Sequence, residues 1–137
     1  MNPKQEVAAQ FGISLDNDDF ETTKSLLSGD CSYIIGDTTL NGPVGICKSY
    51  KDNMIAGRKK LDDLVWGESR IEPLEDDKFY VHFTDYLYHK AQKYTHRCKQ
   101  LLFVNADNLI CRIEHIHDED EQERLNSFYR EVGILKQ

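Results

Sequence analysis

Residues 79–89 read Phe79-Tyr80-Val81-His82-Phe83-Thr84-Asp85-Tyr86-Leu87-Tyr88-His89, and the alternation in this stretch decides the fold. Side chains on a strand point to opposite faces in turn. Phe79, Val81, Phe83 and Leu87 therefore share one face, and Tyr80, His82, Thr84, Tyr86 and Tyr88 share the other. Two more β-like runs follow, Tyr94 to Val104 and Leu109 to His117. They are set off by tight regions at Lys90 to Lys93 and at Asn105-Ala106-Asp107-Asn108.

Working outward, the first half reads as helices with one strand between them. Pro3 starts a helix expected to stop at Gly12, after Phe11. Asp18 with Glu21 three residues on has the spacing of a capping box. Phe20, Thr23, Leu26 and Leu27 form that second helix's inner stripe, and Gly29 is its expected terminator. Cys31 to Gly36 reads as a strand, and Asn41-Gly42 as a turn into a helix opened by Pro43 and closed by Gly57. From Leu61 to Leu74 the alternation is weaker, and Glu75-Asp76-Asp77 is a turn. At the other end, Asp118 with Glu121 reads as a second capping box. Leu125, Phe128, Tyr129 and Val132 make a helical stripe over about 118–132, and Gly133-Ile134 suits a Schellman stop. The expected order is α-α-β-α-β-β-β-β-α. It implies an α+β domain in which helices pack on the concave face of a cone-shaped, curved antiparallel or mixed sheet, a cystatin-like roll.

Composition bounds the function. The 137 residues suit one domain spanning 1–137, and 39% apolar with 30% charged residues is ordinary for a globular chain. A net charge of −7 opposes a phosphate-binding surface, so no nucleic-acid partner is expected. No apolar run approaches the roughly 20 residues that span a bilayer, and no signal-peptide pattern opens the chain. Cys31, Cys47, Cys98 and Cys111 are scattered with no C-x-x-C pair, and read as reduced, mostly buried thiols. The expectation is a cytoplasmic protein with no membrane partner and no cofactor.

Asp19-Phe20, Leu26-Leu27-Ser28-Gly29-Asp30-Cys31, Leu40-Asn41-Gly42-Pro43-Val44-Gly45-Ile46, Tyr50, the segment Phe103 to Ile110 and Glu114 carry a resemblance. Over roughly residues 5 to 117 the chain resembles the nuclear transport factor 2-like superfamily, which includes ketosteroid isomerases, polyketide-cyclase-type enzymes and scytalone dehydratases. The resemblance implies a cone with a pocket, and such folds host enzymes and binding modules alike. Ketosteroid isomerases use a Tyr on the first helix, an Asp base on the first short strand and a protonated Asp on a long strand. The matching positions here are Phe11, Ile35 and Gln100, so that mechanism is not carried over. Asp37, two residues beyond Ile35 and of the same parity, is left as a shifted base.

Several polar residues are candidates for a pocket wall. Asp85 interrupts an apolar face; it is either a desolvated acid–base carboxylate or a residue at the wet rim. His96 shares parity with Cys98 and Gln100, and reads as a cavity acid–base group or a hydrogen-bonded wall residue. The resemblance places Ile110, Arg112, Glu114 and Ile116 inward, making Arg112 and Glu114 either a polar strip on the wall or a mutual ion pair. One β-bulge would turn Cys111, Ile113, His115 and His117 inward instead. Trp66, Tyr33 and Tyr50 are candidate aromatic lining, or plain core. His115-x-His117 lacks an evident third ligand, so no metal site is assigned.

Asp85, His96 and Glu114 are thus the candidate catalytic residues, with Gln100, Arg112, Trp66, Tyr33 and Tyr50 as ligand contacts. The implied activity is an isomerase, dehydratase or cyclase acting on a small hydrophobic carbonyl compound. The alternative is a non-catalytic ligand-binding or protein-interaction module. The polar-tipped outer face from Tyr80 to Tyr88 implies a homodimer formed through the sheet.

Overall fold

The computed structural model describes residues 2–135. The chain forms α1 (Pro3–Asp16), α2 (Phe20–Ser25), β1 (Leu27–Ile35), β2 (Thr38–Asn41), α3 (Pro43–Lys60), β3 (Asp63–Trp66), β4 (Arg70–Pro73), β5 (Lys78–His89), β6 (Gln92–Val104), β7 (Ile110–Ile116) and α4 (Glu119–Glu131). The architecture is α+β with one curved mixed sheet, as the alternation in β5 implied. The strands lie in the order β2-β1-β7-β6-β5-β3, with β4 also on β5. Among the described residues only β1 and β7 run parallel; the other pairings are antiparallel.

Helix boundaries differ from the expected ones where packing overrides local signals. Asn2 caps α1 by accepting the Gln5 N–H at 2.7 Å. The helix then runs straight through Gly12. A Cβ there would come 2.4 Å from Ser69 Oγ and 3.3 Å from Val81, so this glycine marks a close helix–sheet approach and not a helix end. Asp18 is not a cap. It takes a left-handed conformation (φ +55°), tolerated by Asp, and the N-cap of α2 is Asp19. Gly29 does not end α2 either, since Leu27 already opens β1 and is buried there. The short β2 was not anticipated. It pairs β1 across the turn at Gly36-Asp37, which leaves Asp37 exposed and removes it as a base.

β3 and β4 act as one bent strand along β5, β3 pairing Asp85 to Tyr88 and β4 pairing Phe79 to His82. At the break, the Gly67 N–H reaches Thr84 O at 2.7 Å. The β5–β6 hairpin closes on Lys90-Ala91, both at positive φ, the twist that suits a two-residue hairpin turn. The predicted facing of β5 holds: Val81 and Leu87 are buried on the concave face, while Tyr80, Thr84 and Tyr88 lie on the other.

On β7 the facing from the resemblance does not hold. Ile110 and Ile113 are both fully buried although three residues apart, because the β6–β7 register shifts at Phe103/Val104. Beyond that bulge, Ile113 opposes Leu102 and His115 opposes Gln100, all on the concave side. Arg112, Glu114 and Ile116 consequently take the outer side.

Two apolar clusters hold the layers together. The larger joins Phe11, Ile46, Val81, Leu102, Ile110 and Ile113 under α1 and α3. The smaller joins Leu125 and Phe128 of α4, and Val132 at its C-cap, to Leu61, Leu64 and Leu87. Their separation leaves a hollow between α3, α4 and the sheet.

Candidate functional site

That hollow is a cavity of about 560 Å³ between the end of α1, α3, α4 and the concave sheet. Leu15, Phe20, Leu64, Phe83, Leu87 and Leu125 give it a mostly hydrocarbon wall. Asp85 and His96 break this wall side by side, as direct cross-strand partners of β5 and β6, with Trp66 opposite Asp85 on β3. The inward placement expected for both residues is what the structure has. Burial pushes the Asp85 carboxyl up from its ordinary 3.8 to about 6; the neighbouring His96 opposes the shift and Asp16 adds to it.

The far end of the cavity carries a closed network. Tyr50 donates its hydroxyl to Gln100 Oε1 at 2.7 Å, and Gln100 Nε2 donates to the Tyr33 hydroxyl at 2.8 Å. The two phenol rings stack 5.2 Å apart. Burial pushes Tyr33 up to about 12 and Tyr50 well above its ordinary value, so both stay neutral donors. Tyr50 and Gln100 reach the cavity surface. Tyr33 does not, and its expected role as lining is corrected: it supports Gln100 from behind. Phe11 sits edge-on to Tyr50 in the core.

At the mouth, Asp18 Oδ1 accepts the Trp66 indole N–H at 2.7 Å and Asp18 Oδ2 accepts Arg58 at 2.8 Å. Trp66 is lining, as expected, with its polar atom already engaged. Asp16 accepts the Ser69 N–H at 2.8 Å, and burial raises its carboxyl against that hydrogen bond.

Arg112 and Glu114 are not in the cavity. They pair with each other at 2.9 Å on the outer face, with Arg112 against the Phe103 ring. The bulge that reversed β7 is the reason, and the ion-pair alternative is the one realised. His115 turns inward and is held below its usual pKa by burial and by His117 and His96. His115 and His117 border a second hollow of about 570 Å³, which meets the first at His96 and Gln122. Among the described residues no group of three His, Cys, Asp or Glu is placed to hold a metal.

The residue that the sequence reading missed is Glu121. Its N–H makes the expected capping bond to Asp118 Oδ1 at 3.1 Å, but its carboxylate turns to the sheet. There Oε2 takes the Tyr94 hydroxyl and lies 2.8 Å from His96 Nδ1, while Oε1 takes Arg124 at 3.1 Å. Burial would raise the Glu121 carboxyl, yet the bonds from Tyr94, His96 and Arg124 together hold it below its ordinary value. A signal was present. Glu121 falls on the same helical stripe as Leu125, Phe128 and Val132, where a carboxylate has no place unless it is paired.

No protein-family profile matches this sequence, nor does the sequence of any curated protein. Solved structures do match. TerC, crystallised with polyporic acid, shares 17% identity at a TM-score of 0.68 over 90% of this chain and 98% of that one. A putative polyketide cyclase from Xanthomonas campestris pv. campestris shares 9% at 0.67, over 88% and 93%. A protein of unknown function from Burkholderia pseudomallei, described as NTF2-like, shares 11% at 0.68, over 91% and 98%. At these identities the likeness is one of fold, and the fold is nuclear transport factor 2-like, as the sequence resemblance implied.

Proposed function

We propose that the cavity receives a small hydrophobic carbonyl compound and that Asp85 and His96 move a proton on it, in an isomerase, dehydratase or cyclase type of reaction. The observation that carries this reading is the pair itself: two proton-active side chains that are direct cross-strand partners on a cavity wall made largely of hydrocarbon. With a pKa near 6, Asp85 is mostly ionised at neutral pH and is tuned as a base. It would take a proton from the carbon next to the carbonyl, the electron pair moving onto the carbonyl oxygen. Asp85 would then pass that proton to Nε2 of the adjacent His96, which would return it at a neighbouring atom of the ligand. Gln100 has a second amide hydrogen besides the one given to Tyr33, suited to a polar group at the other end of the ligand. Glu114 and Arg112 have no part in this scheme, since they lie outside. The names of the structural neighbours, a putative polyketide cyclase and a protein crystallised with polyporic acid, favour a small-molecule role.

Trp66 is the single tryptophan and borders the cavity, so its fluorescence reports occupancy. A panel of aromatic ketones and quinones titrated against the protein identifies a probe. Hydrogen–deuterium exchange next to the probe's carbonyl then reads proton transfer. Asp85→Asn and His96→Ala are expected to abolish exchange while the fluorescence titration persists. Full exchange in both variants sinks the scheme, and binding without exchange in the wild type leaves a ligand-binding module.

The reading includes a homodimer through the outer sheet face, where Lys99 lies 4.3 Å over the Tyr80 ring and Lys93 4.8 Å over Tyr86. Sedimentation giving the mass of one chain at micromolar concentration would remove it. All four cysteines are free, in keeping with a reducing cytoplasm. No helix among the described residues is long and apolar enough to cross a membrane.

A further inference from the structure

We propose that Glu121 is a positioning residue for His96: it holds the neutral imidazole in the Nδ1–H tautomer, leaving Nε2 as the proton acceptor, so that α4 completes the site. The inference rests on the reading of His96 as a proton-transfer group.

The argument begins with the anomaly of a buried carboxylate on an acidic helix. Glu119, Asp120 and Glu123 on α4 are exposed, whereas Glu121 is 8% exposed and faces the sheet. A carboxylate there is tolerated only if its lone pairs are taken; Tyr94 and Arg124 donate to it, and His96 Nδ1 is the third group in contact. These bonds outweigh burial and keep the group ionised. An ionised carboxylate accepts and cannot donate. At the 2.8 Å contact with Glu121 Oε2, His96 Nδ1 must therefore carry the proton. In a neutral ring the proton on one nitrogen leaves the other as acceptor, and the partner of the first decides which it is. Tyr94 tightens the arrangement by donating to that same Oε2 and stacking on Phe128 of α4, 5.5 Å between ring centres.

The consequence reaches the cavity. His96 borders it next to Asp85, and Gln122, Leu125 and Tyr129 of α4 form part of the same wall. One helix thus supplies both a side of the container and the group that orients one of its proton carriers. Undocking α4 would open the wall and free the ring together.

The test is made on the ligand-free, full-length chain by long-range 1H–15N correlation of the imidazoles, at a pH where His96 is neutral. Wild type is expected to show His96 with Nδ1 protonated and Nε2 bare. In Glu121→Gln that pattern should give way to a mixed or Nε2–H form, and Glu121→Asp should restore it in part. An Nε2–H ring in the wild type, or an unchanged pattern in Glu121→Gln, overturns the proposal; the wild-type spectrum decides even if the variant fails to fold. With a carbonyl probe in hand, Glu121→Gln is expected to slow exchange about ten- to hundredfold. The affinity reported by Trp66 should change by less than about threefold. Lost affinity with an unchanged rate would show a structural role alone and overturn it. Because the tautomer is read without ligand, a correct tautomer alongside full exchange in His96→Ala removes the proton-transfer reading and leaves the tautomer lock in place.

Discussion

The two ends of one cavity contrast in how they use polar groups. At the Tyr33–Gln100–Tyr50 end each group meets a partner within the set: the Tyr50 hydroxyl on the amide oxygen, the amide hydrogen on the Tyr33 oxygen. At the Asp85–His96–Glu121 end the chain is lopsided. Glu121 gathers Tyr94, His96 and Arg124, while at Asp85 burial outweighs the pull of His96 and pushes the carboxyl up to about 6. A closed network rigidifies a core, whereas a carboxylate left under-compensated stores free energy that chemistry can use. The same kinds of residue serve different ends because their partners differ.

The contrast breaks most sharply at Gln100. Gln100→Ala removes a 5%-exposed side chain and leaves two buried phenols without their partner. The expected loss is about 2–4 kcal/mol in urea unfolding. Adding Tyr33→Phe and Tyr50→Phe should recover part of that loss, since removing unpaired polar groups costs less than stranding them. A loss under about 0.5 kcal/mol would mean that the network stabilises nothing.

Asp85 should respond in the opposite direction. Folding raises its pKa from 3.8 to about 6, so the native state binds this proton more tightly than the unfolded chain. Its contribution therefore favours the fold at low pH and turns against it as pH rises through this window, reaching at most about 3 kcal/mol above pH 6. Asp85→Asn is expected to stabilise the protein by about 1–3 kcal/mol at pH 7, with the gain vanishing below about pH 4. Glu121 runs the other way. Its lowered pKa contributes stability above the ordinary 4.5 that is lost as pH falls through its folded value. Unfolding curves of the wild type and Asp85→Asn across pH 3–8 separate the two, and a destabilised Asp85→Asn at pH 7 would refute the assignment of Asp85 to the strained end.

The smallest effect belongs to neither end. Arg112→Ala breaks an ion pair on the outer face, with Arg112 itself exposed. Stability should shift by no more than about 0.5 kcal/mol. The fluorescence response of Trp66 to ligand should not change at all. Altered binding would return Arg112 to the cavity and with it the unbulged register.

Much of the fold was legible because it rests on local periodicity. The alternation of residues 79–89, the cap at Asp118 and the Gly133-Ile134 stop all survive; Ile134 N–H bonds Tyr129 O at 2.8 Å. Asp85, His96 and Gln100 were legible as wall residues for the same reason, since parity along a long hairpin needs no tertiary information. What misled was punctuation. Gly12 and Gly29 look like stops, but one admits a close helix–sheet approach and the other lies within a strand. On β7, the single register shift at Phe103/Val104 reversed Arg112 and Glu114, which no pattern of residues 110–116 announces.

By itself, then, the order of residues determined the faces of β5 and β6, the cap of α4 and the layered α+β plan, because each depends on neighbours within a few positions. The tertiary structure alone decided that the Glu121 side chain would turn to the sheet and hold His96, that Asp18 would hold Trp66 in place of capping α2, and that Tyr33 would stand behind Gln100. These pairings join residues 25, 48 and 67 positions apart. Such contacts follow from how layers stack and where a bulge shifts the register, and neither is encoded in any one stretch of the chain.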